Sequence, residues 1–147
     1  MENLAAIKIP AHADWHFKVK CINCQSINEN VVYFNLTDKL ELHGSRGLAS
    51  YVQKCKNCDR SGNIDFVEGT LDKYMESHDR NWHTIATFEC RGLEPVEFFP
   101  GTSFSALSSA SDTIFGTEGD RDPIDLSDGD WAEYDEAGDE SVGIYEF

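Results

Sequence analysis

Two pairs of cysteines are the residues of this chain best suited to chemistry, Cys21 with Cys24 and Cys55 with Cys58. Each pair has two residues between its thiols, so one tight turn can direct both sulfurs at a single ion, and a second turn completes a tetrahedron. The local sequences also repeat, as Lys-Cys-Ile-Asn-Cys and Lys-Cys-Lys-Asn-Cys. The pattern predicts one Zn(II) per chain, in a structural site whose four thiolates leave no position for water.

The residues around the cysteines support the same prediction. Asn23 and Asn57 precede the second cysteine of each pair. Asparagine tolerates the left-handed backbone angles of a tight metal-binding turn, here called a knuckle. Lys20, Lys54 and Lys56 flank the pairs, and nearby cations favour the thiolate over the thiol. We therefore expect the asparagines to shape the knuckles and the lysines to favour metal-binding thiolates.

Disulfides and independent redox motifs are the alternatives for two CxxC pairs. Residues 1–10 have Glu2 where a secretory signal carries a basic region, and they contain no long apolar core. This favours a reducing compartment, where paired cysteines are metal ligands more often than disulfides. We expect a cytoplasmic or nucleocytoplasmic protein.

The charge of the chain is distributed unevenly. It carries −15 over 147 residues, and residues 112–147 hold 13 of the 27 acidic residues but one of the 12 basic residues. Four thiolates on Zn(II) would add negative charge, so binding to a phosphate backbone is disfavoured. No apolar run approaches the roughly 20 residues of a membrane span. We expect neither a nucleic acid nor a membrane as partner, and we favour a monomer.

Short segments of alternating polarity dominate the chain. They are rich in β-branched and aromatic residues and are bounded by turn residues, and no stretch of ten residues has a convincing helical period. These features predict an all-β fold, an antiparallel two-sheet sandwich or barrel-like body, in which two hairpins related by a pseudo-twofold each supply one knuckle to the zinc. The predicted strands span residues 15–19, 31–36, 48–54, 63–67, 82–90 and 95–99.

We expect a single zinc-binding β domain over residues 1–147. Within it, residues 100–130 are rich in Gly, Ser and acidic residues and predict a mobile loop. Residues 131–147 differ, because they contain Trp131, Tyr134 and an alternating apolar pattern near the end. This C-terminal segment is predicted to dock on the body of the domain.

Several ordered motifs carry a resemblance to a known family. They are ECRGLEPVEF at residues 89–98, ESVGIYE at residues 140–146, GSRG at residues 44–47, and the two CxxC pairs. With these motifs, the chain from about Asp14 to Glu146 resembles the eukaryotic CXXC-motif-containing zinc-binding proteins. The resemblance implies an all-β fold and one zinc held by the paired cysteines, with no established reaction. Members of that family begin with an additional alternating segment, so we expect a strand to be missing here: either the sequence begins late, or a sheet edge is open and could pair with another chain.

Cys90 is a candidate redox thiol. Arg91 follows it and would lower its pKa, which would make it a nucleophile. A free cysteine is more often a small buried apolar residue. We favour the buried residue, because no resolving cysteine remains once four cysteines bind metal.

Three other groups of polar residues give weaker indications. The loop at residues 43–47 could form an anion-binding nest around Arg46, although a hairpin turn with glycines at positive φ explains it as well, and we favour the turn. The aspartates of residues 120–130 fit no calcium loop and predict a solvated acidic segment. The histidines lack ligand spacing, so we expect no second metal site; they are His12, His16, His43, His78 and His83.

Taken together, these features predict a protein-interaction module and not an enzyme. The candidate interface contains Trp131, Tyr134, Asp128 and Asp130, because aromatic residues anchor a partner and acidic residues steer a basic one. The two aromatic residues could instead pin the tail to the sheet. The alternative function is a metal-handling or thiol-redox protein that uses the paired thiolates or Cys90.

Overall fold

Strands account for the regular structure in the described part of the chain. The computed structural model describes residues 1–67, 71, 75–76 and 84–147. Within these ranges, no helix is long and apolar enough to cross a membrane. The strand pairs are antiparallel, which confirms the predicted all-β antiparallel fold. The strands are β1 (Leu4–Lys8), β2 (Trp15–Cys21), β3 (Val32–Phe34), β4 (Leu40–Glu41), β5 (Leu48–Ala49), β6 (Tyr51–Lys54), β7 (Ser61–Phe66), β8 (Met75–Glu76), β9 (Phe88–Arg91), β10 (Leu93–Phe99), β11 (Ser105–Ser108), β12 (Ile114–Gly116), β13 (Trp131–Asp135) and β14 (Glu140–Ile144).

The chain divides into two compact units. The first, here called the acidic unit, comprises Met1–Ala13, Thr70–Ile85 and Pro100–Phe147. The second, the cysteine unit, comprises Asp14–Gly69 and Ala86–Phe99. The prediction of one domain over the whole chain stays a prediction, since two compact units can belong to one folding domain.

Two three-stranded sheets form the cysteine unit. Their strand orders are β10-β2-β3 and β6-β7-β9, and β4 and β5 form a separate hairpin. Strict alternation along β2 buries Trp15, Phe17 and Cys21. Rings from the two sheets meet, because Trp15 lies 6.1 Å from Phe66 and Phe17 lies 5.5 Å from Phe88 between ring centroids. The predicted two-sheet sandwich is therefore the architecture of this unit.

A corner at Gly92 connects the two sheets. β9 pairs with β7, β10 pairs with β2, and Gly92 lies between them with a φ of 73°. A Cβ atom at this position would lie 3.2 Å from the carbonyl oxygen of Ser61, so the backbone angle and the close approach both favour glycine. The backbone amide of Ile22 donates to the carbonyl of Gly92 at 3.1 Å. The corner therefore contacts both cysteine-bearing hairpins.

The acidic unit contains a four-stranded sheet of order β12-β11-β1-β8 and the hairpin β13-β14. β11 and β12 lie within residues 100–130, so the prediction of a loop was wrong for these strands. Ser105 and Ala106 are fully buried in β11. Such small residues have the composition of a loop, yet they let neighbouring strands pack closely. The acid-rich segment at residues 117–130 forms turns and an isolated bridge, as an irregular segment does.

The C-terminal hairpin contacts the rest of the acidic unit through its backbone and through Trp131. Glu2 and Gly143 exchange two backbone hydrogen bonds of 2.8 and 3.0 Å. The ring of Trp131 lies 5.6 Å from that of Phe115 in an edge-to-face arrangement. Val142 is fully buried in β14. These contacts place the end of the chain against β12 and the residues that precede β1 within this unit.

A buried carboxylate organises the same hairpin. Asp135 is fully buried and accepts hydrogen bonds from the hydroxyls of Ser108, Ser111 and Thr113, and from the amide of Ala137. These donors, Ser108 first and then Ser111, hold the pKa of Asp135 well below its usual range. The charged form of Asp135 therefore contributes to stability near neutral pH.

Some strand boundaries differ from the predictions. The predicted strand 48–54 is divided at Ser50, whose buried hydroxyl donates to Asp65 at 2.8 Å. The predicted strand 82–90 begins only at Phe88, and residues 82 and 83 lie outside the described residues. Strand β1 had no counterpart among the predicted segments, because its apolar residues are not strictly alternating: buried Ala6 and Ile7 are consecutive.

Candidate metal centre

The first knuckle follows β2 and is closed by two backbone hydrogen bonds. The amide of Gln25 donates to the carbonyl of Cys21 at 2.9 Å, and the amide of Cys21 donates to the carbonyl of Ser26 at 2.9 Å. The left-handed residue is Gln25, with a φ of 63°. The prediction that Asn23 would adopt this angle was wrong, because the turn reverses after the second cysteine and not before it.

The second knuckle follows β6 and repeats this arrangement. The amide of Asp59 donates to the carbonyl of Cys55 at 2.9 Å, and the amide of Cys55 donates to the carbonyl of Arg60 at 2.8 Å. Asp59 has a φ of 60°, so it takes the position predicted for Asn57. The internal repeat inferred from the sequence is therefore a repeat of backbone structure.

The two knuckles bring four sulfur atoms together. All four Sγ atoms of Cys21, Cys24, Cys55 and Cys58 lie within 4.8 Å of one another. The Cys21–Cys58 separation is 3.7 Å and the Cys24–Cys55 separation is 3.6 Å. Sulfurs at 2.3 Å from one tetrahedral zinc are about 3.8 Å apart. The geometry and the soft donor set both fit Zn(II).

The four sulfurs are not equally accessible. Cys21 and Cys55, the first cysteine of each pair, are buried, whereas Cys24 and Cys58, the second of each pair, are half-buried. One side of the cluster therefore faces the interior of the cysteine unit, and the other side is open to reagents.

Ser26 is a functional residue that the sequence analysis did not identify. Its hydroxyl lies 3.0 Å from the sulfur of Cys24 and 3.5 Å from that of Cys55. This hydroxyl is the first cause that lowers the pKa of Cys24 to about 5, followed by the side chain of Asn57. It is also the first cause that lowers the pKa of Cys55, followed by the backbone amides of the second knuckle. Ser26 thus stabilises one thiolate from each knuckle.

Two of the three flanking lysines lie near carboxylates. Lys20 pairs with Glu94 at 2.9 Å, and Lys54 lies 3.8 Å from Asp59. The thiolates of Cys24 and Cys55 are instead favoured by hydrogen bonds. The sequence signal for Ser26 is its position two residues after a CxxC pair. There the knuckle turns back, and the carbonyl of Ser26 accepts the amide of Cys21.

A pair of side-chain amides also joins the two hairpins. Asn28 donates to the amide oxygen of Gln53 at 2.7 Å, and Gln53 donates to that of Asn28 at 2.9 Å. Asn28 follows the first knuckle and Gln53 lies in β6, which leads into the second. This reciprocal contact fixes the two knuckles relative to each other without the ion.

Comparison with known proteins agrees with the geometry. A family model described as CXXC motif containing zinc binding protein, eukaryotic, matches residues 1–147. The chain belongs to this family. The zinc binding in the family's description agrees with the four clustered cysteines of this chain. The family predicted from the sequence is confirmed.

Relatives within the CXXC zinc-binding family are similar over nearly the whole chain. The human CXXC motif containing zinc binding protein is 43% identical, and the match covers 99% of this chain and 88% of the relative. The corresponding protein of Xenopus laevis is 40% identical with the same coverage. The crystal structure of C1orf123 matches with a TM-score of 0.85 at 42% identity, over 99% of this chain and 88% of that one. A hypothetical protein from Plasmodium falciparum has a TM-score of 0.83 at 27% identity, with the same coverage.

Cys90 lies away from the metal cluster's knuckles, in β9, where it pairs with Ile64 of β7. Burial, and then the charge of Glu94, raise the pKa of the half-buried Cys90 thiol. Arg91 does not lower it, because its guanidinium bonds the carboxylate of Glu89 at 2.8 Å. These surroundings are opposite to those that activate a redox thiol.

The predicted interface residues have unequal surroundings. Trp131 is half-buried, whereas Tyr134 is 47% exposed and Asp128 is exposed. Asp130 accepts a hydrogen bond from the backbone amide of Glu146 at 2.9 Å. Of the four, Asp128 and the ring of Tyr134 are therefore exposed, although the Tyr134 hydroxyl donates to Asp139, while Trp131 and Asp130 hold the C-terminal segment.

The other polar groups singled out in the sequence are the loop at residues 43–47, the aspartates of residues 120–130 and the histidines. The loop at residues 43–47 joins β4 to β5 as a hairpin turn, with φ of 77° at Gly44, as the favoured interpretation predicted. Asp125 accepts the amide of Ser127 at 2.9 Å in a turn. His78 and His83 lie outside the described residues. Among the residues that are described, the four paired cysteines form the one group of His, Cys, Asp or Glu side chains placed to hold a metal.

Proposed function

We propose that the four paired cysteines hold one Zn(II) as a structural ion, and that the folded chain is a protein-interaction module without a reaction of its own. The observation that carries the zinc assignment is the sulfur geometry, with separations of 3.6 and 3.7 Å. Four sulfurs fill a tetrahedral shell, so they leave no position at which water or a substrate could be activated.

The ion would join two hairpins that belong to different sheets. Cys21 ends β2 in one sheet, and Cys55 follows β6 in the other. Because an unfolded chain holds no preformed site, the free energy of zinc binding becomes free energy of folding, about 10–16 kcal/mol in small zinc-binding peptides. Removal of the ion is therefore expected to destabilise the packing of the two sheets in the cysteine unit.

Native mass spectrometry during a chelator titration, with far-UV circular dichroism measured alongside, tests this proposal. We expect one zinc per chain, retained until the β signal is lost. The variant Cys90→Ser is the matched control, because it removes a cysteine outside the cluster and should keep the zinc. Absence of zinc from the freshly purified protein, or a second zinc, would contradict the assignment.

The exposed part of the C-terminal hairpin supports the interaction role. Tyr134 offers an exposed ring, and Asp128 lies on the turn that precedes the hairpin. Residues 112–147 hold 13 acidic residues and one basic residue. An aromatic anchor within a negative field suits a basic partner surface.

Crosslinking of the full chain to proteins of a cell extract tests the interface. A photoreactive residue at Tyr134 should crosslink a defined basic protein, and the yield should fall in the Asp128→Lys variant. Asp112→Lys is the control, since Asp112 is an exposed acid outside the hairpin. An unchanged yield with Asp128→Lys would exclude this surface.

Metal handling is the second candidate function. The half-burial of Cys24 and Cys58 favours it, because transfer of a soft ion to another protein requires sulfurs that an incoming thiolate can reach. In the chelator titration, loss of zinc while the β signal persists would support metal handling over a purely structural ion.

A further inference from the structure

We propose that Cys58 is the ligand at which the zinc site opens, and hence the cysteine that soft electrophiles and exchanging thiols attack first. This inference rests on the proposed ligation of one zinc by the four cysteines. It concerns the regulation of that site, since a ligand that reacts first decides how the metal is lost. Burial and hydrogen bonding together distinguish Cys58 from the other three ligands.

Burial reduces the candidates to two. Cys21 and Cys55 are only 5% and 4% exposed, so a reagent must disrupt the fold to reach their sulfurs. Cys24 and Cys58 are both half-buried. Burial therefore does not separate these two sulfurs.

Hydrogen bonding separates the remaining pair. The hydroxyl of Ser26 lies 3.0 Å from the sulfur of Cys24, whereas the side-chain contact of the Cys58 sulfur is the sulfur of Cys21 at 3.7 Å. Among the described residues, no hydroxyl lies within hydrogen-bonding distance of Cys58. A hydrogen bond stabilises thiolate charge and lowers the nucleophilicity of the sulfur. Cys58 therefore keeps the greater reactivity.

The difference arises from one position of the repeat. Ser26 and Arg60 both lie two residues after the second cysteine of their pair, and both accept the amide that closes the knuckle. Arg60 is exposed and forms no ion pair with the described residues. Its charge favours the approach of anionic reagents to the second knuckle. A cleft of about 390 Å³ lies beside Arg60, lined by residues from both hairpins: Ile22, Asn23, Arg60, Ser61 and Gly92.

Alkylation by iodoacetamide provides a probe with simple chemistry. The lone pair of the Cys58 sulfur attacks the methylene carbon, the carbon–sulfur bond forms as the carbon–iodine bond breaks, and iodide leaves. The product is a neutral thioether, which is a weaker zinc ligand than a thiolate. Modification of Cys58 should therefore accompany loss of the metal.

The experiment treats the zinc-loaded full chain with limiting iodoacetamide and follows each cysteine by peptide mass spectrometry. Zinc content is measured by native mass spectrometry on the same samples. We expect Cys58 to react about three- to tenfold faster than Cys24. In Ser26→Ala, the rate at Cys24 should rise towards that at Cys58, with the contact from the side chain of Asn57 still in place. Ser26→Thr, which keeps a hydroxyl, should retain the original order, and circular dichroism shows whether each variant folds.

The outcomes separate the proposed zinc site from the inference about Cys58. A chain that contains no zinc refutes the proposed function. A zinc-loaded chain in which Cys24 reacts first, or at the same rate as Cys58, overturns the inference while leaving the zinc assignment intact. A rate at Cys24 that is unchanged in folded Ser26→Ala shows that the hydroxyl does not protect it, which also overturns the inference.

Discussion

The first and second knuckles have the same backbone and different side chains around their sulfurs. Both are closed by a hydrogen bond to the carbonyl of the first cysteine, from Gln25 in one and from Asp59 in the other. Only in the first does the residue that follows, Ser26, direct a hydroxyl at the cluster; in the second, Arg60 is exposed at that position. The CxxC spacing therefore fixes the position of the sulfurs, whereas a neighbouring side chain sets their reactivity.

The repeat does not extend to the third strand of each sheet. The third strand of one sheet, β10, pairs with β2, which leads into the first knuckle. The third strand of the other, β9, pairs with β7, which leads out of the second knuckle. The repeat is therefore a property of the metal-binding hairpins alone. The corner at Gly92 connects the two additional strands, β9 and β10.

The largest expected effect comes from removing a buried ligand. Because the two backbones are equivalent, Cys21→Ser and Cys55→Ser should both abolish stable zinc binding and most of the cooperative β transition, since structural zinc contributes about 10–16 kcal/mol. Native mass spectrometry and thermal circular dichroism measure both effects. If one variant kept its zinc and the other lost it, the knuckles would not be equivalent.

A smaller effect should separate the knuckles. Ser26→Ala removes the hydroxyl that bonds Cys24 and Cys55, and we expect zinc affinity to fall about 10- to 100-fold. Arg60→Ala changes the matching residue and should leave the affinity within about threefold of the original, since an exposed side chain contributes little. Competition with a chromogenic chelator measures both. Equal losses in the two variants would remove the asymmetry.

The shared corner should be sensitive to a single methyl group. Gly92→Ala meets the carbonyl of Ser61 at 3.2 Å and a φ of 73°, so we expect a loss of about 2–3 kcal/mol. Gly44→Ala is the matched control, with a φ of 77° and open space around it, and should cost about 1 kcal/mol. Urea denaturation of the zinc-loaded protein measures both. Equal losses would show that contact at the corner is unimportant.

A change in the acidic unit should leave both knuckles unaffected. The pKa of Asp135 is lowered on folding, so its contribution is present above the ordinary carboxyl pKa and is lost as the pH falls below about 4. Asp135→Asn should lower the Tm near neutral pH by about 5 °C and reduce the acid dependence of stability. Thermal melts across this pH range measure it. A loss of zinc at neutral pH would show that the cluster depends on this hairpin.

The sequence identified the metal cluster because its signal is local. Two CxxC pairs with matching flanking residues specify two knuckles, whatever path the chain takes between them. The strands of the cysteine unit could also be predicted from the sequence. In β2, for example, Trp15, Phe17 and Val19 alternate strictly with polar residues. Ser26 was not recognised, because its proximity to Cys55 depends on how two distant hairpins meet.

The acidic unit was harder to predict for a related reason. Ser105 and Ala106 look like loop residues, yet they lie in a central strand whose packing requires small side chains. Asp135 is one acidic residue among many in the sequence, and only the folded chain surrounds it with hydroxyls. Composition describes the average environment of a segment, whereas these residues owe their roles to contacts distant in sequence.

X-ray absorption spectroscopy at the zinc edge of the purified full chain tests whether four cysteine sulfurs hold one zinc. A single zinc held by both knuckles should show four sulfur neighbours at about 2.3 Å and no nitrogen or oxygen neighbour in that shell. A shell that contains nitrogen or oxygen, or fewer than four sulfurs, would contradict a closed four-cysteine site.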